Sequence, residues 1–322
     1  MPLFVQKPTT GGRVHRTIEI TVPPAYTDTL IQELEQLEDV VNLSVVRGSS
    51  IKPPGDVLTV HALNRGADEV MRLADGAREQ GHVSVSTGDL TSLVDPEHER
   101  KVANDIDEAL WEEAETSLRH QSQITTNYLV LMALGGAIAA TGFVAESSTS
   151  QAISFVAAAI VAPGFDPIAK IPMGLALRRW GVARSGLTSA GAGYLALVLS
   201  AALAFLVLRL TGVATVEQFV GDPEMETLAH PTLRDVLMSA CAAVAGVSMI
   251  LSYRLYLIPG ALIALEIIEA AAMIGVALAA GSPALMYEGA ERLVLDVLLI
   301  VAGGVIVVSL KQALVHRRAP MV

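Results

Sequence analysis

The spacing of apolar residues changes character partway along the chain. Residues 14–22 (VHRTIEITV) alternate apolar and polar as a strand does. Over 25–38 the apolar positions Leu30, Ile31, Leu34 and Leu37 fall at helical spacing. Residues 40–47 alternate again, Pro53, Pro54 and Gly55 mark a turn, and 56–63 form a further strand. Ala67 to Arg78 read as a helix and His82 to Ser86 as a short last strand. This βαββαβ order predicts an α+β ferredoxin-like domain over 1–92, two helices lying on one face of an antiparallel sheet. A linker helix is expected over 93–122. Asp95 would cap it, Pro96 suits its first turn, and Val102, Ile106, Leu110 and Leu118 would form one stripe.

From about Thr126 to Leu310 the alternation gives way to long apolar stretches. A membrane-crossing helix needs roughly 20 such residues. Six stretches fit: 126–144, 151–176, 187–210, 234–252, 256–280 and 292–312. The expectation is an α-helical polytopic membrane domain over 123–313, followed by a basic tail over 314–322. Short-loop cations orient it. Arg178, Arg179 and Arg184, then Arg254, then Lys311, Arg317 and Arg318 occupy alternate loops, while Glu217, Asp222, Glu224, Glu226, Glu288 and Glu291 occupy the others. Six spans put every loop on the side its charge predicts, with both termini cytoplasmic in a multi-pass cell-membrane protein. Trp180, Tyr128, Tyr253 and Tyr256 are placed near the inner interface.

The second stretch is interrupted by Ala162-Pro163-Gly164-Phe165-Asp166-Pro167. Prolines remove helix hydrogen bonds and free carbonyls, which hydrocarbon cannot satisfy. Two readings compete. One is a kinked packing helix in which Asp166 and Lys170 neutralise each other. The other is a discontinuous helix lining a substrate or ion site, with Pro163, Gly164 and Pro167 making the break. Glu266 and Glu269 stand three apart in the fifth stretch and share a face. They join Asp166 and Lys170 as candidate substrate- or ion-binding residues. Asp296, in the sixth stretch near its outer end, is read as reaching the interface. Met173-Gly174-Leu175-Ala176-Leu177 resembles Ile274-Gly275-Val276-Ala277-Leu278 at an offset of 101 residues. That offset superposes spans one to three on four to six and implies a 3+3 inverted repeat. The match is short and built from common membrane residues, so chance similarity competes with it. Gly135, Gly136, Gly186, Gly191, Gly193, Gly303 and Gly304 are candidates for close helix approach.

Composition agrees with the division. Hydrophobic residues make up 52% of the 322 and charged residues 17%, with a mean hydropathy of +0.50. Residues 1–122 hold 11 Lys and Arg against 21 Asp and Glu, so nearly all of the net −11 belongs there. That acidity excludes nucleic acid as a bulk-charge partner. Met1 to Arg16 lack the apolar core of a cleavable signal peptide. The single cysteine, Cys241, excludes an internal disulfide and reads as a small packing residue. His15, His61 and His82 lie on separate strands and read as ordinary polar residues rather than a metal site. Walker A, G-x-G-x-x-G, G-x-S-x-G and H-E-x-x-H runs are all missing, which argues against an enzyme or a bound cofactor.

Ala162-Pro163, then Pro167-Ile168, then Gly174-Leu175-Ala176-Leu177 and an Arg-containing loop resemble the "uncharacterised hydrophobic domain" proteins of bacteria and archaea, domain of unknown function three-eight-nine. The resemblance covers about 126–310 and implies architecture more than chemistry. Gly164, Phe165 and Asp166 replace the middle of the family's Ala-Pro-Leu-Met-Gly-Pro-Ile-like run, and Glu269-Ala270 stands where a Pro-Pro pair is usual. The partners expected are the lipid bilayer, further copies of the chain, and a small solute or ion. The functional expectation is a transporter or channel with a cytoplasmic regulatory or assembly domain. The alternative is a non-conducting membrane-anchored sensor or scaffold.

Overall fold

Strand β1 (His15–Val22) is central in a four-stranded sheet of order β2-β3-β1-β4, antiparallel throughout. The computed structural model describes residues 15–90, 93–221, 228, 230–252, 258–316 and 318–321, side chains of 258–265 excepted. The other strands are β2 (Val40–Ile51), β3 (Pro54–Ala62) and β4 (Ser84–Leu90). Helices α1 (Pro24–Glu35) and α2 (Asn64–Gly76) complete the βαββαβ succession. Ile18 and Ile20 of β1, Leu58 and Val60 of β3, Leu30 of α1 and Val70 of α2 form one buried core. The alternating strand pattern and the 3–4 spacing of the helices point these residues inward together. Asp56 at the start of β3 accepts from the Thr27 hydroxyl at 2.7 Å and from the Gly48 amide at 2.7 Å, fixing α1 and the bulged end of β2 to one carboxylate.

The single linker helix expected over 93–122 is replaced by two, α3 (Glu99–Ala103) and α4 (Trp111–Ser122). Asp105 explains the interruption. Helix α2 has no side-chain cap of its own, and Asp105 supplies one, accepting from Asn64 N at 2.7 Å and Arg65 N at 3.3 Å. Its Oδ2 also lies 3.1 Å from His15 Nδ1. The Asn64 side chain donates to the Ile106 carbonyl at 2.8 Å. A chain that reaches sideways to close α2 cannot continue as a helix. Asp95 accepts from the Glu97 amide and the His98 ring instead of capping a long helix.

The described residues divide into two units: those of 1–113 with 251–254 and 316–322, and those of 114–250 with 255–315. Within the first unit, His316 stacks on Trp111 at 4.6 Å and Arg318 pairs with Asp68 and Glu112. Described residues of the basic tail are thus folded onto this unit.

The second unit is helical: α5 (Thr126–Gly142), α6 (Ser148–Val161), α7 (Phe165–Ala176), α8 (Trp180–Leu210), the short α9 (Val216–Val220), α10 (Leu233–Ile250), α11 (Ile258–Ala280) and α12 (Pro283–Leu314). Among the described residues α8, α10 and α12 are long and apolar enough to cross a membrane. Two bent pairs, α4/α5 at 69° and α6/α7 at 54°, raise the number to five. Helix α11 coincides with the fifth stretch and lies outside that number; residues 258–265 have no described side chains. These helices make a multi-pass membrane protein. Tyr253, Arg254, Tyr256, Asp222, Glu224, Glu226 and Arg317, placed by the loop-charge and interface expectations, lie outside the described residues.

Helix contacts repeat between the two halves. The pairs α5–α8, α5–α6, α7–α8 and α7–α12 have counterparts in α10–α12, α10–α11, α11–α12 and α11–α8. The α5–α11 contact falls outside this pattern. Gly186 gives α8 its close approach to α7: a Cβ there would lie 2.7 Å from the Pro167 carbonyl. Gly191, expected to serve likewise, faces open space. Cys241 is exposed on α10, so it does not pack within the chain. Tyr128 is buried, its hydroxyl donating to the Ser189 carbonyl at 2.9 Å, because α5 turns it towards α8 and away from the interface.

Candidate site in the helical unit

The break is built from backbone. Helix α6 ends at Val161, Ala162 is extended, and α7 restarts at Phe165. Pro163 has no N–H to continue the ladder. The Gly164 amide turns back on the Ala162 carbonyl at 2.8 Å, and the Gly164 carbonyl accepts from the Tyr194 hydroxyl at 3.2 Å. A Cβ at Gly164 would meet that hydroxyl at 2.8 Å and Ile268 of α11 at 3.0 Å, so glycine is what lets α8 and α11 close around the break.

Asp166 occupies the first turn of α7, where the helix dipole favours a carboxylate. Its expected pairing with Lys170 is not present among the described residues. Lys170 is 2% exposed and donates to the Ser185 hydroxyl at 2.8 Å. The approach of α8 at Gly186 brings Ser185 within its reach and offers an alternative partner.

A second group of charges lies among α10, α11 and α12. Arg292 donates through Nη2 to Glu266 Oε2 at 3.0 Å and through Nε to Asp296 Oδ2 at 2.9 Å. Nη2 also lies 3.1 Å from Ser239 Oγ, and the Ser239 hydroxyl donates to Glu266. Asp296 is 2% exposed, which corrects its expected place at the interface: α12 extends nine residues before Arg292 and carries both charges inside the bundle. Asp296 Oδ1 is buried with no hydrogen-bond partner among the described residues. Two carboxylates share one guanidinium.

Of the sequence candidates, the structure brings Glu266 into an ionic group. Glu269, one turn along, is half-buried. No ion pair joins Glu266 to Lys170 among the described residues. Arg292 and Ser239 escaped the sequence reading. The signal for Arg292 was its place four residues before Asp296, an i,i+4 opposite-charge pair beside an apolar run. Ser239 had no sequence signal beyond being polar in an apolar helix. Among the described residues no group of three or more His, Cys, Asp or Glu is placed to hold a metal ion. His15 proves to be buried rather than an ordinary strand residue, with its ring against Asp105.

Neither a curated protein nor a solved structure matches this chain. Residues 159–302 match the family model described as Domain of unknown function (DUF389). Pro163, Asp166, Lys170, Tyr194, Ser239, Glu266, Arg292 and Asp296 all lie inside that stretch. That matched stretch holds both the broken helix and the buried ionic group, and over it the chain is similar to the DUF389 family.

Proposed function

We propose that the protein is an integral membrane transporter or channel for an ion or small solute, regulated or assembled through a ferredoxin-like N-terminal domain. The observation that carries this reading is Arg292 held between Glu266 and Asp296 inside apolar helices. Taking such groups out of water costs several kcal/mol per ion, and apolar residues of similar volume would pack as well or better. Charges retained at that cost mark ion or substrate paths by default. The broken α6/α7 pair adds the freed backbone that secondary transporters use at their sites, and the repeated helix contacts support an inverted 3+3 repeat. In this reading six spans place both termini on the cytoplasmic side of the cell membrane, and the protein works as a homo-oligomer. Proteoliposome flux tests it. Wild type should move a set of inorganic ions or small solutes above empty vesicles, and Glu266→Gln and Asp166→Asn should each reduce the rate. Indistinguishable traces from all of these would end the proposal.

A second reading, a non-conducting sensor or scaffold, is favoured by one observation: the N-terminal residues have their own core and a buried ion pair of their own, Arg16 with Glu113. Ligand-dependent thermal stabilisation without any flux would select it.

A further inference from the structure

We infer that a cavity between α4, α7 and α8, distinct from the Glu266 group and opposite to it in charge, binds a phosphate-type anion. The cavity is about 350 Å³ and is lined by Glu115, Arg119, Lys170, Arg179, Val182 and Ser185. Three cations face one carboxylate. Glu115 is buried and already shared, accepting from Arg119 at 2.6 Å and pairing with Arg179 through its other oxygen. Lys170 is left with the neutral Ser185 hydroxyl as its hydrogen-bond partner. Lys170 is 2% exposed as a residue, and an ammonium so placed calls for an opposing charge; no ion pair to it is present among the described residues.

The surrounding backbone supports the same ligand. Helix α8 begins at Trp180 without a side-chain cap, and Val182 of its first turn lines the cavity. A 31-residue helix presents its positive end there, adding to the three cations. Arginine guanidinium and lysine ammonium groups around one space suit the tetrahedral oxygens of a phosphate group.

The phosphate can come from two sources. Trp180 is 67% exposed at the head of α8, and Leu187, Leu195 and Leu199 are exposed along the same helix. An exposed tryptophan at the head of a membrane helix sits at headgroup level, so a lipid headgroup is one source and a free phosphate compound the other.

The test uses full-length protein in nanodiscs of zwitterionic lipid. Thermal unfolding is followed with added inorganic phosphate, with chloride at matched ionic strength, and separately with an anionic phospholipid built into the disc. Wild type should be stabilised by phosphate or by the anionic lipid and not by chloride. Stabilisation by free phosphate assigns a soluble ligand, and stabilisation by the lipid alone assigns a headgroup. In Lys170→Met and in Arg119→Gln, whose side chain is largely solvent-exposed, the apparent affinity should fall about tenfold or more. The inference is overturned if neither anion exceeds the chloride control, or if Arg119→Gln and a folded Lys170→Met both keep the full shift. This readout is independent of flux, so it stands or falls separately from the transport proposal.

Discussion

Arg318 and Glu112 meet in a two-pronged ion pair, Nη1 to Oε1 at 2.7 Å and Nη2 to Oε2 at 2.6 Å. The same guanidinium donates through Nε to Asp68 at 2.7 Å, and Asp68 also bonds the His316 ring. Burial pushes both carboxyls up, but the opposing bonds prevail. His316 and Arg318 hold Asp68 below its ordinary value of 3.8, and Arg318 and the Met321 amide hold Glu112 below 4.5. Folding therefore favours the ionised acids. Their contribution is fully present above the ordinary carboxylate range and is lost as pH falls through the lowered values. Trp111 reports this, because its ring packs on His316. In a Trp180→Phe background, where Trp111 is the remaining tryptophan, its emission should shift to the red below about pH 4. With Arg318→Gln added, the red shift should begin at higher pH. An acid transition that Arg318→Gln leaves at the wild-type pH would show that these pairs do not hold the tail.

Asp105 closes α2 from 41 positions along the chain. Replacing it by Ala strands the Asn64 amide and removes the partner of a buried His15. The expected cost is roughly 1–3 kcal/mol. Hydrogen exchange at Asn64 and Arg65 should accelerate well before the centre of β1 does. Equal acceleration everywhere would mean that the cap acts through global stability alone.

Arg178 lies in the left-handed region at φ 56°, a position where glycine normally ends a helix. It terminates α7 through the bond from Arg179 N to Gly174 O at 2.7 Å. The conformation costs an L-residue about 1 kcal/mol or somewhat more. Arg178→Gly should therefore leave the melting temperature unchanged or raise it, despite the extra freedom glycine has when unfolded. Arg178→Val, β-branched at the same φ, should lower it.

What the sequence revealed follows from the range over which its signals act. The alternation around Ile18 and Ile20 and the spacing of Leu30 and Leu34 are local, and they gave the strand and helix order of the first unit. Pro163 and Gly164 act on their own backbone, so the break in α6/α7 was readable too. The helix drawn through Asp105 failed because its stripe is local while the competing bonds run to Asn64 and His15. Tyr128 and Asp296 were assigned to an interface by position along a span, but rotation about the helix axis decides whether such a residue meets lipid or a neighbour. Lys170 changed partner for the same reason: Ser185 belongs to the next helix.

Arg292 offers the sharpest separation of structure from function. Arg292→Met leaves Glu266 and Asp296 buried without a counter-charge and should destabilise the protein by about 3–5 kcal/mol. Replacing all three, as Glu266→Met, Arg292→Met and Asp296→Leu, removes the charges together, and stability should return to the wild-type level or exceed it. If the group is a packing device, the triple variant loses nothing measurable. If it lines a path for an ion or solute, the triple variant is stable and inactive in proteoliposomes. Melting temperature and flux measured on the same preparations decide between these outcomes. A triple variant that is stable and carries wild-type flux would exclude these charges from the transport path and leave Asp166, at the broken helix, to carry that role.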